Sequence, residues 1–393
     1  MGQWMDALAE DLAIGSSDDD QSPNAERYAL RQASYWIWRV RRDGYTGMIA
    51  RQITNLRGPP LVNGQGEPDP LNFRALQPQG GAHVEQPGVP SLTIFTIPKP
   101  FIGHIGVIQR NAITSWTRLC PRPDIVLCGD EPGVAEIAAE LCVGHLPDLA
   151  RNDYGTPYLH STFEAVANSS DRQLLCYINA DIMLLDDFVQ ALGKIEKPKF
   201  LLVGQRWDLD IAEPLSFDQV DWQDELNRRV REQGKPHSLW GIDYFVFPRR
   251  GVIDSLPPFV VGRPGWDNWV IYDARRHGIP VIDASAVIRA IHQNHDYSHV
   301  PMRWGERWVG PEAQHQIHMM TDLMAGQTMR FAIIDATHRL TRNGVVRAMG
   351  LRSLRRRWET LPVLRPALKP LTAALNPPVR LADWLWKKYR AAR

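Results

Sequence analysis

The sequence predicts an α/β fold built on a mostly parallel β-sheet with helices on both faces. Apolar runs alternate along the chain with segments that have helical character, beginning with SLTIFTIP (91–98), DIVLCGD (124–130) and QLLCYINADIML (173–184). These runs are mainly apolar and do not alternate regularly with polar residues, which is typical of parallel strands buried on both faces. With 393 residues, of which 44% are hydrophobic, the chain is long enough to bury such a sheet.

The remaining elements follow the same alternation. KFLLVGQRWDLDI (199–211) and GIDYFVFPRR (241–250) are predicted as the fourth and fifth strands, and VIDASAVIRAIHQNH (281–295) as a strand followed by a loop. Helices are expected over 107–119, 133–141 and 187–195. In sheets of this class ligands bind beyond the carboxyl ends of the strands, so polar residues at those ends are the first candidates for a site.

Composition divides the chain into three parts. Residues 1–88 combine an acidic segment, a helical pattern and a Pro/Gly-rich linker, and are expected to form a helical N-terminal extension. Residues 89–337 hold the α/β domain. Residues 338–393 are basic and rich in proline, and are expected to form a helical C-terminal tail.

Charge and cysteine content limit the partners and the compartment. A net charge of +1 gives no overall field that would attract nucleic acid. The four cysteines lack CxxC spacing, and the sequence offers neither a signal peptide nor an 18-residue apolar run, so we expect a cytoplasmic protein. Trp384 and Trp386 lie among the basic residues of the tail, which suits either the inner surface of a membrane or a solvated face that contacts a partner.

The motif Asn179-Ala180-Asp181 interrupts the third apolar run. A carboxylate inside such a strand needs a cation or strong hydrogen-bond donors, because burying it unpaired is costly. Asp181 is therefore a candidate ligand for Mn²⁺ or Mg²⁺, with Asn179 orienting a water or a ribose hydroxyl. The alternative is that Asp181 caps the helix that follows.

A second candidate group is HQNHDYSH, which places histidines at 292, 295 and 299. Imidazole is a good ligand for Mn²⁺ or Zn²⁺ where carboxylates complete the site. One of these histidines is expected to join Asp181 as a metal ligand. A three-histidine zinc site and a polar surface cluster are the alternatives.

The third motif is the loop GRPGWDNW (262–269), in which two tryptophans flank Asp267. An acceptor sugar stacked on Trp266, with Trp269 beside it, would bring a hydroxyl near the carboxylate. Asp267 could then act as the general base of an inverting transfer. The alternative is that both indoles are core and that Asp267 caps a helix.

Taken in order, these motifs resemble the GT-A nucleotide-diphospho-sugar transferases, of the family-2-like kind. Asn179-Ala180-Asp181 looks like their D-x-D motif, although its first carboxylate is replaced by an amide. Gly265-Trp266-Asp267 is similar to the loop that bears their catalytic carboxylate. His295, or failing that His292, matches a late metal-binding histidine. The resemblance spans about residues 91–299 and implies a GT-A, Rossmann-like fold.

The resemblance also implies where donor and acceptor bind. Donor-binding residues would be Thr96, Pro98, Arg110, Asp130, Asn179 and Asp181. Acceptor-binding residues would be Trp207, Asp208, Gly241, Asp243, Trp266 and Trp269. For Arg110 a solvated position on its helix is an equal alternative.

The expected function is metal-dependent, inverting transfer of a sugar from a nucleotide-diphosphate sugar to a saccharide or glycan hydroxyl, in surface polysaccharide synthesis. A non-catalytic carbohydrate-binding protein of the same fold is one alternative. A zinc hydrolase that uses the three histidines is another.

Overall fold

The computed structural model describes residues 88–295, 310–324, 326 and 331–374. In chain order the strands are β1 (Leu92–Thr96), β2 (Asp124–Cys128), β3 (Gly144–Leu146), β4 (Leu174–Ile178), β5 (Ile182–Met183), β6 (Leu201–Val203), β7 (Arg206–Leu209), β8 (Lys235–Pro236), β9 (Tyr244–Pro248), β10 (Val281–Asp283), β11 (Ala290–Gln293), β12 (His338–Thr341) and β13 (Gly344–Arg347). The helices are α1 (Gly103–Thr117), α2 (Val134–Glu140), α3 (Leu159–Ser169), α4 (Asp186–Leu192), α5 (Trp222–Gln233), α6 (Trp266–Arg276), α7 (Pro311–Leu323) and α8 (Leu351–Leu364).

Nine strands form one sheet in the order β13-β12-β10-β6-β9-β4-β1-β2-β3. β9 runs antiparallel to β4 and β6, and β13 runs antiparallel to β12, whereas the other neighbouring pairs are parallel. The predicted α/β architecture with a mostly parallel sheet and flanking helices is confirmed. The carboxyl ends of β1, β2, β4, β6 and β10 therefore share one edge, which we call the carboxyl edge.

Buried side chains fill both faces of this sheet. Because side chains alternate along a strand, Ile94 and Cys176 lie in the core cluster on one face, while Phe95 and Tyr177 lie in the cluster on the other. Phe95 and Tyr177 meet edge to face, with ring centroids 5.5 Å apart. Strands that are apolar on both sides satisfy both clusters, which is why their sequences show no polar alternation.

Three predicted segments are each split between the large sheet and a small second one. The small sheet has the order β5-β11-β7-β8. The run at 173–184, predicted as one long strand, breaks after β4 and continues as β5. The run at 199–211 likewise becomes β6 and β7, and the segment 281–295, predicted as a strand followed by a loop, becomes β10 and β11. The prediction of single strands was wrong because each segment crosses from one sheet to the other at the carboxyl edge.

One crossing depends on a glycine. At Gly204, between β6 and β7, a β-carbon would collide with the hydroxyl of Tyr244 on the neighbouring β9. The missing side chain therefore lets the chain leave the large sheet beside a buried aromatic residue.

The C-terminal side differs in part from the expected helical tail. Residues 338–347 form the β12–β13 hairpin, and β12 pairs in parallel with β10 of the large sheet. The expected helix begins only at α8. Residues 1–87 and 375–393, which include the N-terminal extension and the tryptophans at 384 and 386, lie outside the described residues, as does His299. Within the described helices, none has both the length and the apolar character needed to cross a bilayer.

Candidate active site

The break between β4 and β5 places Asp181 at the carboxyl edge. The backbone amide of Asn179 donates to the carbonyl of Asp243 over 2.9 Å, and the amide of Ile182 donates to the carbonyl of Asn179 over 3.2 Å. The side-chain amide of Asn179 donates to Asp243 Oδ1 over 2.9 Å. Asn179 therefore ties the turn to the strand that leads into β9, and its amide nitrogen has a protein partner where we expected it to orient a ligand.

Asp181, His292 and His295 form a compact group that could hold a metal ion. One ligand atom from each residue lies within 4.8 Å of those of the other two. Asp181 Oδ2 is 3.1 Å from His295 Nε2 and 3.7 Å from His292 Nε2. Asp181 Oδ1 is buried and has no hydrogen-bond partner among the described residues. A carboxylate with an unsatisfied buried oxygen beside two imidazoles is the donor set that a divalent cation would complete.

The charges around this group favour the forms that bind a cation. Burial acts to raise the pKa of Asp181, but the hydrogen bond to His295, the electrostatic effect of His292 and the positive charge of Lys99 outweigh it and hold that pKa well below its ordinary value. Burial lowers the pKa of His292, against the opposing effect of Asp181. An ionised carboxylate beside a neutral imidazole is the state in which both can be ligands.

Next to this group lies a network of ion pairs built on Arg206. Its guanidinium donates to Asp208 Oδ1 over 2.9 Å and to Asp243 Oδ1 over 2.6 Å. His237 Nδ1 lies 2.7 Å from the other oxygen of Asp208. Asp208 and Asp243, which we expected to bind an acceptor, are thus held by protein groups.

Asp267 lies in the first turn of α6, where Gly265 takes the left-handed conformation immediately before the helix. Burial raises the pKa of Asp267 to about 6, backbone N–H groups at the helix start oppose this, and the negative charge of Asp243 adds to it. A carboxylate with a pKa near 6 remains ionised at neutral pH and is a stronger base than an ordinary aspartate.

The carboxylates of Asp181, Asp243 and Asp267 lie near the end of β4. Burial raises the pKa of Tyr177, and the charges of Cys128, Asp181, Asp243 and Asp267 raise it further. Trp266, the residue before Asp267, packs on Tyr177 of β4, and Asp181 follows the same strand, so the candidate metal group and the candidate base lie around the same strand end.

Two expectations for the acceptor side were wrong. Trp266 is 7% exposed and packs edge to face on Tyr177, with ring centroids 5.2 Å apart. Trp269 is 1% exposed and packs against Phe259 at 5.5 Å. Both indoles lie on the side of α6 that covers the sheet, so neither offers a free face on which a sugar could stack.

The acceptor candidates Trp207 and Gly241 have different surroundings. Trp207 is partly buried against the core on β7. Gly241 lies against the ring of His237, which occupies the space that a β-carbon would need. A substitution at 241 would therefore displace His237 from the network described above.

The donor candidates differ in burial and in the groups that they contact. Thr96 and Pro98 are buried at the end of β1, and Thr96 Oγ1 lacks a hydrogen-bond partner in the described part of the chain. Asp130 follows β2 at the carboxyl edge, is exposed, and forms an ion pair with Arg151. Arg110 forms an ion pair with Glu140 of α2 at the surface. This agrees with the alternative that Arg110 occupies a solvated position on its helix, and not with a role in binding the donor diphosphate.

Sequence reasoning did not identify several residues that shape the site. Lys99 acts on the charge of Asp181, and the side chain of Gln109 brackets its backbone, accepting from the Lys99 amide over 2.7 Å and donating to its carbonyl over 2.9 Å. Gln293 is fully buried, donates to the carbonyls of Ile108 and Asp181, and accepts from Asn111. The sequence did contain a signal for Gln293, because it directly follows a histidine in an apolar strand and a buried side-chain amide requires hydrogen-bond partners.

Comparison with known proteins gives similarity to solved structures alone. No family model matches the chain, and no curated protein matches it. Several solved structures resemble this chain at low sequence identity. One is glucosyl-3-phosphoglycerate synthase from Mycobacterium tuberculosis, in complex with Mn²⁺, uridine diphosphate and glucosyl-3-phosphoglycerate. It has 8% sequence identity and a TM-score of 0.34, and the match covers 59% of this chain and 79% of that one. Another is S. aureus TarS in complex with UDP-GlcNAc, with 8% identity, a TM-score of 0.37 and coverage of 60% and 66%.

Proposed function

We propose that this chain is a metal-dependent, inverting glycosyltransferase. It would move a sugar from a nucleotide-diphosphate sugar to a hydroxyl of a saccharide or glycan acceptor, in the synthesis of a surface polysaccharide at the inner face of the membrane. The observation that carries the proposal is the group of Asp181, His292 and His295 at the carboxyl edge, with Asp267 near the same strand end.

The cation would be Mn²⁺ or Mg²⁺, held by Asp181 and His295 with His292. When bound, it supplies positive charge that offsets the negative charge developing on the diphosphate leaving group. Lys99, on the loop after β1, supports the same electrostatic task because its charge already acts on Asp181.

Asp267 would serve as the base on the acceptor side. Its carboxylate takes the proton of the acceptor hydroxyl as that oxygen bonds to the anomeric carbon and the bond from this carbon to the phosphate oxygen breaks. The nucleoside diphosphate leaves from the face opposite the attack, so the anomeric configuration inverts. Since Trp266 and Trp269 are buried, the acceptor must be held by other groups; Trp207 is the partly buried indole that remains a candidate.

The first experiment is a thermal-shift screen of nucleotide sugars in the presence of Mn²⁺. A donor that raises the melting temperature with Mn²⁺ and much less with EDTA would then be incubated with candidate acceptors. The anomeric configuration of the product would be read by NMR. If no nucleotide sugar stabilises the chain in the presence of Mn²⁺, the proposal fails.

Two alternatives make different predictions. A non-catalytic carbohydrate-binding protein would bind a donor but would not hydrolyse it with metal in the absence of acceptor. A zinc hydrolase would contain stoichiometric zinc without nucleotide, which metal analysis of the purified protein would detect. The carboxylate with a pKa of about 6 at Asp267 favours the enzyme over the binding protein.

The described part of the tail supports contact with an anionic membrane surface. Exposed apolar side chains of Met349, Leu351 and Leu354 stand at and before the start of α8, beside exposed Arg352 and Arg355. Apolar groups interleaved with cations suit a surface of anionic lipid headgroups.

Replacing Leu351 and Leu354 together by serine should reduce pelleting with liposomes that contain anionic lipid. The matched control replaces Arg228, an exposed residue on α5. Equal pelleting of the serine variant and the wild-type chain would contradict a membrane role for this surface.

A further inference from the structure

His292 stands between two carboxylates. Its Nε2 is 3.7 Å from Asp181 Oδ2, and its Nδ1 is 3.3 Å from Asp208 Oδ1. The pairing of the small sheet explains this placement, because parallel β11 and β7 put His292 directly beside Asp208. Neighbouring residues on adjacent strands project from the same face of a sheet, so the contact is fixed by strand register.

Asp208 is itself held in place. Arg206 Nε donates to Oδ1 over 2.9 Å, and His237 Nδ1 lies 2.7 Å from Oδ2. Arg206 is in turn anchored on Asp243. A carboxylate with both oxygens engaged has a fixed orientation, and Oδ1 retains capacity for a second donor.

The buried Nδ1 of His292 makes no hydrogen bond within the described residues. At 3.3 Å from Asp208 Oδ1 it does not meet hydrogen-bond geometry, and it has no other hydrogen-bond partner in the described residues. An imidazole binds a cation through the ring nitrogen that carries no proton, and the proton on the other nitrogen is usually donated to a carboxylate or carbonyl. A proton on Nδ1 facing Asp208 leaves the lone pair of Nε2 directed towards Asp181.

We propose that Asp208 is a positioning residue that orients His292 as a second imidazole ligand of the cation, so that the site selects Mn²⁺ over Mg²⁺. Two imidazoles and one carboxylate form a donor set suited to first-row transition ions, whereas Mg²⁺ prefers oxygen ligands. The inference rests on the cation site of the proposed function and assigns Asp208 a role other than binding the acceptor.

The test measures binding of Mn²⁺ and of Mg²⁺ alone to the full chain without nucleotide, by calorimetry. Asp208→Ala should weaken Mn²⁺ binding about 10- to 100-fold, as is usual when an outer-shell partner of a metal ligand is removed. The affinity for Mg²⁺ should change much less, so the preference for Mn²⁺ shrinks. Asp208→Asn, which retains an acceptor oxygen, should restore part of the affinity.

A double variant separates positioning from general loosening of the structure. If Asp208 acts through His292, adding Asp208→Ala to His292→Ala should weaken Mn²⁺ binding little further. The matched control is Asp210→Asn, an exposed carboxylate just beyond β7 that accepts from Asn294, and it should bind Mn²⁺ like the wild-type chain.

Several results would overturn the inference. They are wild-type Mn²⁺ affinity in Asp208→Ala, an equal loss for Mn²⁺ and Mg²⁺, or full additivity in the double variant. Failure of the proposed function gives a different pattern, in which Mn²⁺ binds with the expected dependence on Asp208 but no nucleotide sugar stabilises the chain.

Discussion

Replacing Asp267 by asparagine should lower turnover and, at pH 7.5, raise the free energy of unfolding. Asparagine keeps the shape and an acceptor oxygen for the N–H groups at the start of α6, but it cannot take a proton. Turnover should fall by about 10²- to 10⁴-fold, the usual contribution of a general base. Donor binding with Mn²⁺ should be nearly unchanged, because Asp267 is not part of the candidate metal group.

The stability effect follows from the raised pKa of Asp267. A folded-state pKa of about 6, against 3.8 for an ordinary aspartate, means that the folded chain binds the proton more tightly than the unfolded chain. The stability that this proton provides is complete below pH 3.8 and is lost as the pH rises to about 6. At pH 7.5 the ionised carboxylate therefore destabilises the fold by up to about 3 kcal/mol. Asp267→Asn should recover much of this free energy of unfolding at pH 7.5 and only about a third as much at pH 4.5.

Two assays check the prediction. Urea unfolding at the two pH values gives the stability difference, and the wild-type pH–rate profile should lose activity about tenfold per pH unit below pH 6. Asp273→Asn serves as the control, since this carboxylate lies on the same helix but faces His277. Unchanged turnover in Asp267→Asn would exclude this residue as the base, and a variant less stable than wild type at pH 7.5 would refute the electrostatic reasoning.

Three further predictions concern the surroundings of the site. His295→Ala should abolish most of the melting-temperature increase produced by Mn²⁺, as thermal shift would show, because the carboxylate of Asp181 loses its nearest imidazole. Trp269→Ala should lower the free energy of unfolding by about 3–5 kcal/mol in urea titrations, since the indole is fully packed in the core. Gln293→Ala should cost about 1–3 kcal/mol in the same titrations, because the buried carbonyl of Ile108 loses its donor, and it should also weaken Mn²⁺ binding by loosening the backbone of Asp181.

The fold class could be predicted from the sequence because strands that are buried on both faces consist mainly of apolar residues. Apart from Thr93, Thr96 and Asp124, the residues of β1, β2 and β4 are apolar, and short, largely apolar runs between helices are typical of strands buried on both faces. The same signal failed at the crossings between the two sheets. A strand that continues into a second sheet stays apolar, so the breaks after Ile178 and Val203 are invisible in hydrophobicity.

The candidate site could be predicted only where polar residues interrupt an apolar strand. Asp181 stood out for that reason and His292 for the spacing of the histidines at 292, 295 and 299, and the structure brings Asp181 and His292 together although 111 positions separate them. The tryptophans at 266 and 269 could not be assigned in this way. An indole next to a carboxylate has the same sequence pattern in a sugar-binding loop and in a helix that covers a sheet, and only packing distinguishes the two.

The two sheets together explain why the candidate site lies where it does. A single continuous strand from Leu174 to Met183 would have buried Asp181 within the large sheet, where its carboxylate would have lacked room for a ligand. By ending β4 at Ile178 and pairing β5 with β11, the chain places Asp181 between the two sheets at the carboxyl edge and His292 opposite Ile182. The short second sheet therefore acts as a frame for metal ligands, and substitutions that weaken the pairing of β5 with β11 should lower cation affinity before they lower global stability.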